Sequence, residues 1–206
     1  MSHLKDQFLL DPEFTFLNHG SFGSTPRPVF DLYQQWQREL ESQPVFFIQK
    51  RLPGLLKQSR DALGDYLGVA GNDLNFVPNP TTAVNTIVKS LNFGPGDEVL
   101  TTNLEYGACD NCLDFYAEKQ GYSVVRQPIT LPIKSEEALL EEIWSGVTPN
   151  TKMIFLSHIT SATAMRLPAE ALCKRAREAG IITLIDGAHV PSQLDLDIDQ
   201  FKPDFY

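Results

Sequence analysis

The residues best suited to chemistry lie where apolar runs end. In "TLIDGAHVPS", Thr183 to Ser192, branched apolar residues lead into Asp186, and His189 follows shortly after. A carboxylate at the tip of an apolar strand is costly unless something holds it. A cationic heterocyclic nitrogen would do so, and the pairing would keep that nitrogen protonated by favouring the charged form. A metal ion or a helix N-terminus would serve the carboxylate as well. His189 would hydrogen-bond a substituent of the same ring, or cap local backbone.

Further stretches of the same kind precede it. In "VPNPTTAVNTIVKSL" an Asn-Pro joint leads into Thr81 and Thr82 at the start of a helical pattern. Hydroxyls and outward-pointing N–H groups at a helix start attract an anion, although a threonine there can equally be an N-cap. With no Gly-rich nucleotide loop in the chain, a single phosphate suits this turn better than a pyrophosphate. "TTNLEYGACDN" places Tyr106 just past an apolar run, where its face could cover a flat heterocycle or pack on a neighbour. Glu105 beside it is a cap or a base. "LSHITSATAMRLP" offers His158, Thr160, Ser161 and Thr163 around a cofactor hydroxyl or a substrate, or as a loop that satisfies its own backbone.

The elements that must position these groups alternate between short apolar runs and amphipathic segments, the pattern of a β/α protein. Strands are expected at Leu74–Val77, Asp97–Thr102, Ser123–Pro128, Lys152–His158 and Ile181–Asp186, with another apolar run opening at Phe205. Helices are expected at Thr81–Leu91, Tyr106–Gln120, Ser135–Trp144 and Pro168–Ala179. Gly94, Gly121, Gly146 and Gly180 follow the helical runs where left-handed C-caps would fall. Before residue 71 the pattern differs: a Gly/Pro/Ser-rich loop, then helices over Pro28–Gln43 and Pro53–Leu67 without a convincing strand. The expected division is therefore 1–70, an N-terminal arm with packing helices, and 71–206, a large parallel-sheet domain. In such open sheets ligands sit beyond the carboxyl ends of the strands, where the candidate residues fall.

Composition narrows the classes. The chain has 206 residues, 42% hydrophobic and 21% charged, ordinary for a globular protein with a sizeable core. The net charge of −9 and scattered Lys and Arg residues argue against a nucleic-acid partner. Three cysteines are too few for a disulfide framework, and Cys109-x-x-Cys112 has no second pair at zinc-ribbon spacing, so helix packing is expected there and no metal. The N-terminus lacks the apolar core of a signal peptide, and no apolar run reaches membrane-spanning length; a cytoplasmic protein without a membrane partner is expected.

Read jointly, the candidate residues describe one ligand. A phosphate lies at Thr81 and Thr82, a ring on Tyr106, a hydroxyl near Ser161 and His189, and a pyridinium nitrogen at Asp186. That inventory is pyridoxal 5'-phosphate. The same motifs, in this order, resemble the class V aminotransferases of the fold-type I pyridoxal-phosphate enzymes, and most of all the isopenicillin N epimerase-like branch. "NPTTAVN" is similar to the family's phosphate turn, "TTNLEYGA" to the turn bearing the ring-stacking residue, "SHITSATAMRLP" to the segment near ring hydroxyl and substrate, and "IDGAH" to the pyridine-nitrogen segment.

The resemblance implies a three-layer α/β/α, mainly parallel sheet of the aspartate aminotransferase-like major domain. It makes Thr81 and Thr82 phosphate contacts, Tyr106 the ring-stacker, Ser161 a cofactor contact, and Asp186 and His189 the catalytic and cofactor-binding pair. Cysteine desulfurases commonly carry histidine, asparagine and glutamine where this chain has Tyr106, Ser161 and His189, which favours the epimerase-like branch. Through "FLNHGSFGSTP" the resemblance also places Asn18, His19 and Gly20 near an amino-acid substrate.

The family requires a cofactor-anchoring lysine after the next strand and a C-terminal small domain. Lys202 precedes that strand, and no other lysine fits. The expectation is an N-terminal part of a full enzyme, inactive by itself: the natural protein continues past Tyr206, or the enzyme is split or cleaved, or the sequence breaks near a modified lysine. For the complete enzyme the resemblance implies a homodimer acting at the α-carbon of an amino acid. The rival readings are a cysteine desulfurase or C–S lyase, and a non-catalytic binding or dimerisation module.

Overall fold

The computed structural model describes residues 2–206. The chain divides into two compact units, one running to Ala62 and the other spanning Leu63–Tyr206. Toward the N-terminus lie helices α1 (Ser2–Lys5), α2 (Arg27–Ser42) and α3 (Pro44–Phe46), a π-helical turn (Phe47–Arg51) and α4 (Leu52–Leu67), whose last residues belong to the second unit. Helix α2 carries Pro28 in its first turn, where a missing N–H costs nothing.

The second unit continues with α5 (Pro80–Ser90), β1 (Glu98–Thr102), α6 (Gly107–Gln120), β2 (Ser123–Gln127), α7 (Glu136–Trp144), β3 (Thr151–Ser157), α8 (Ala169–Ala179), β4 (Ile182–Asp186) and α9 (Ile198–Phe201). The strands form one parallel sheet in the order β2-β1-β3-β4. Side chains alternate between its faces. Val99, Met153, Phe155 and Leu184 pack with Val84 and Val88 of α5 and Cys109, Cys112 and Leu113 of α6. Leu100, Ile154, Leu156 and Ile185 pack with Leu139 and Ile143 of α7 and Leu172, Cys173 and Ala176 of α8. Each strand thus feeds two cores, the requirement for an apolar parallel strand, and the expected three-layer α/β/α arrangement is present.

Right-handed crossovers account for the layering. The step β1 to β2 runs one way across the sheet and puts α6 on one face. The steps β2 to β3 and β3 to β4 run the other way, which puts α7 and α8 on the opposite face. The direction reverses between β1 and β3, and the carboxyl ends of these two strands therefore flank a topological switch point, the general location of ligands in such sheets.

Most expected elements are present within a residue or two, and the apolar run at Phe205 does begin a further pairing. Phe205 lies parallel to Leu184, donates to the Thr183 carbonyl at 3.0 Å and accepts from Ile185 N–H at 3.0 Å. The expected strand Leu74–Val77 does not form. Leu74 is extended, but the segment finds no neighbouring strand among the described residues, and Phe76 and Val77 stay exposed. Two of the glycine stops also differ. Gly121 (φ 89°) and Gly180 (φ 70°) are left-handed C-caps as expected. Gly94 is not: α5 ends earlier, with Leu91 extended. Nor is Gly146, whose bare Cα is required by space, since a Cβ there would lie 2.7 Å from Leu100 Cδ1.

Candidate cofactor site

Burial and pairing bring three strand ends together. Ser157 closes β3 and stands in register with Asp186, which closes β4. Glu105, in the turn after β1, reaches across the switch point: its Oε2 accepts from Ser157 N–H at 2.8 Å and Ser157 Oγ at 2.6 Å, and its Oε1 from Thr102 Oγ1 at 2.6 Å. Burial raises the Glu105 carboxyl above its usual range, the hydrogen bonds from Ser157 and Thr102 pull it back, and the nearby Asp186 charge adds to the rise. Glu105 thus ties β1 to β3 and is neither a helix cap nor a free base.

Asp186 is partly buried. Its Oδ1 accepts from Ala188 N–H at 3.0 Å, and Cys109 Sγ lies 3.7 Å from Oδ2. Burial first, then the Asp186 charge, pushes the Cys109 thiol up to about 12, so this cysteine is an inert packing residue of α6. No Lys, Arg or His pairs with Asp186 among the described residues. A carboxylate fixed at a ligand-facing strand end, next to a second carboxylate and without a cation of its own, fits a positively charged ring nitrogen.

At the start of α5 the cap is Asn79, whose Oδ1 accepts from Thr82 N–H at 2.8 Å and Thr82 Oγ1 at 3.0 Å. The alternative of a threonine N-cap therefore falls away. Asn79 already engages Thr82, and Thr81, partly exposed, has no side-chain hydrogen bond among the described residues. Tyr106 directly precedes α6 and is 48% exposed, leaving its ring free to meet a ligand. His189 is partly exposed in the turn after Asp186; its carbonyl accepts from Gln193 Nε2 at 2.6 Å.

The loop after β3 divides. Thr160 is buried, shares a 2.6 Å hydrogen bond with Thr163 and accepts from Met165 N–H at 2.9 Å, which makes that part a self-satisfied loop. Ser161 is left exposed and available. His158 points inward and is 1% exposed, so the reading of it as a ligand donor does not hold.

Asn18, His19 and Gly20 lie in the other unit and are exposed. Asn18 accepts from Phe22 N–H at 3.1 Å in a turn, and the His19 ring stands edge-on to Phe16 at 4.7 Å. The structural roles of Glu105, Cys109 and Tyr206 at this sheet edge escape sequence reasoning, because their partners are 48 to 77 residues away along the chain.

An open parallel α/β sheet whose strand ends bring Glu105, Ser157 and Asp186 together at a topological switch point has the general plan of ligand-binding α/β domains. The chain belongs to the class-V aminotransferase family, whose model matches residues 21–206. It is 36% identical over its whole length to isopenicillin N epimerase of Amycolatopsis lactamdurans, of which it covers 52%, and 30% identical to an L-cysteine desulfhydrase-like protein, lolT1, of Epichloe uncinata, over 98% of the chain and 45% of that protein. The chain spans about half the length of the curated relatives it matches. Among solved structures, a C-DES variant with glycine covalently linked to its pyridoxal-phosphate cofactor superposes with a TM-score of 0.85 at 22% identity, over 97% of this chain and 53% of that one.

Proposed function

We propose that the chain is the cofactor-binding part of a pyridoxal-phosphate enzyme that acts at the α-carbon of an amino acid, of the isopenicillin N epimerase type. The observation that carries the proposal is Asp186, a carboxylate held by Ala188 N–H at a ligand-facing strand end with no cation beside it among the described residues. Bound pyridoxal phosphate supplies an electron sink for the pair of electrons left when a bond to the α-carbon breaks. Asp186 holds the proton on the ring nitrogen, because a carboxylate partner favours the charged form. Tyr106 covers one ring face, the first turn of α5 at Thr81 and Thr82 receives the phosphate, and Ser161 and His189 contact ring substituents. Asn18, His19 and Gly20 are assigned to the substrate. The assembly is a homodimer, to which the exposed Phe14, Leu17 and Phe22 lend apolar surface.

Titrating the purified chain with pyridoxal phosphate by absorbance and fluorescence tests the reading. Saturable uptake is expected, weakened at least about thirtyfold in Asp186→Ala, the equivalent of about 2 kcal/mol for a lost charge partner, with an unchanged far-ultraviolet spectrum. No uptake by the unaltered chain overturns the proposal.

The likeness to a cysteine desulfhydrase-like protein favours a second reading, a lyase or desulfurase that releases sulfur from cysteine. Racemisation of an amino acid without sulfide release by the full-length protein separates the first from the second. A non-catalytic binding or dimerisation module, the remaining alternative, would do neither.

A further inference from the structure

The buried imidazole of His158 takes no part in the ligand-facing site, yet its residue is tied to Asp186 and to Tyr206 beside the following turn. Burying an imidazole is unfavourable unless its polar atoms are met, so its partners identify its task. His158 N–H donates to the Asp186 carbonyl at 2.9 Å, and the His158 carbonyl accepts from Leu167 N–H at 2.9 Å. Its Nδ1 lies 3.2 Å from the Tyr206 hydroxyl, and its Nε2 lies 3.5 Å from Glu170 Oε1, at ion-pair distance. The Tyr206 ring in turn lies against the turn that follows Asp186: a Cβ added at Gly187 would clash with Tyr206 Cε1 and Cζ. Position 187 is glycine for want of space, and the phenol is the floor of the Asp186–Gly187 turn.

Among the described residues only Nδ1 of the two ring nitrogens has a hydrogen-bond partner, the Tyr206 hydroxyl. Nε2 stands 3.5 Å from Glu170 Oε1, which accepts from Arg166 Nη2 at 2.8 Å. The His158 ring, with help from Arg166, holds the Glu170 carboxyl down at about 2. Burial, then the charges of Glu170 and Asp186, push the Tyr206 phenol up, so it keeps its proton.

We propose that His158 is a positioning residue for Asp186, fixing the aspartate directly through its backbone N–H and fixing the following turn through the Tyr206 hydroxyl. The importance of this brace for cofactor binding rests on the function proposed above; the brace itself does not.

Tyr206→Phe removes one hydroxyl while leaving the ring in place, and amide NMR of the cofactor-free chain reads the turn. The expected result in Tyr206→Phe is a shifted and faster-exchanging Ala188 amide, the donor to Asp186. Pyridoxal-phosphate binding should weaken about fivefold in that variant, the size of one lost neutral hydrogen bond. An Ala188 amide unmoved by Tyr206→Phe overturns the inference. Failure of the unaltered chain to bind pyridoxal phosphate overturns the function reading instead, while the NMR readout still decides the brace.

Discussion

The two units hide apolar surface in different ways. In the sheet unit Leu100, Met153, Ile154, Phe155 and Leu156 are fully buried between helices on both faces. In the N-terminal unit Phe47 is the one buried hydrophobic residue among those described, and Phe14, Leu17 and Phe22 are 70%, 87% and 77% exposed. Helix α2 has no buried residue, although Val29, Leu32 and Tyr33 mark an apolar side. The sheet unit meets its own need for a core, while the N-terminal unit leaves apolar residues in water at a density that well-buried domains avoid.

Cavity substitutions test that contrast most forcefully. Phe155→Ala empties a fully buried site beside Val99 and Leu184, and should cost about 3–5 kcal/mol in urea denaturation followed by circular dichroism. That is a large part of a typical domain's stability, so partial unfolding at room temperature is expected. A loss below about 1 kcal/mol would mean that the β3 core is looser than its burial indicates.

The same contrast explains what could be read from sequence. The β/α alternation was legible because β1, β3 and β4 are buried on both faces, and the most buried of them spells a continuous apolar run, "MIFL" of β3. Leu74–Val77 spells a similar run, yet composition carries no information about whether a neighbouring strand exists to pair with it. Asp186 was legible because charge at the tip of such a run is anomalous. The inward turn of His158 was not: hydroxyl-rich "SHITSAT" reads as uniformly polar, and only the partners Tyr206 and Glu170 reveal which residue the core takes in. The candidate ligand residues were proposed by type, whereas the contacts that brace them are seen only in the fold.

A smaller effect should distinguish the brace from the open surface of the same unit. Glu170 in the folded protein is depressed to about 2 from an ordinary 4.5, so it contributes stability above about 4.5 that is lost as pH falls toward 2. Glu105 is raised and works with the opposite sign: its contribution is present at low pH and lost as pH rises through its folded value. The fall in urea midpoint on acidification should therefore be shallower in Glu170→Gln than in the unaltered chain. Because Glu170 is partly exposed, solvent screening keeps the difference modest. An identical acid limb in both proteins would remove the Glu170 contact from the account of His158.

The smallest effect is expected at the surface of the N-terminal unit. Leu17→Ser changes a residue that is 87% exposed, and a side chain already in water has little transfer free energy to lose. Its effect on the stability of dilute protein should lie within about 0.5 kcal/mol, the usual range for surface substitutions away from caps and networks. The comparison becomes sharper if the same variant, examined by sedimentation at rising concentration, associates less than the unaltered chain, since the exposed apolar residues would then serve a second copy. If Leu17→Ser costs as much as a core substitution in dilute solution, Leu17 is covered within the single chain, and the difference drawn between the two units fails at its most exposed point.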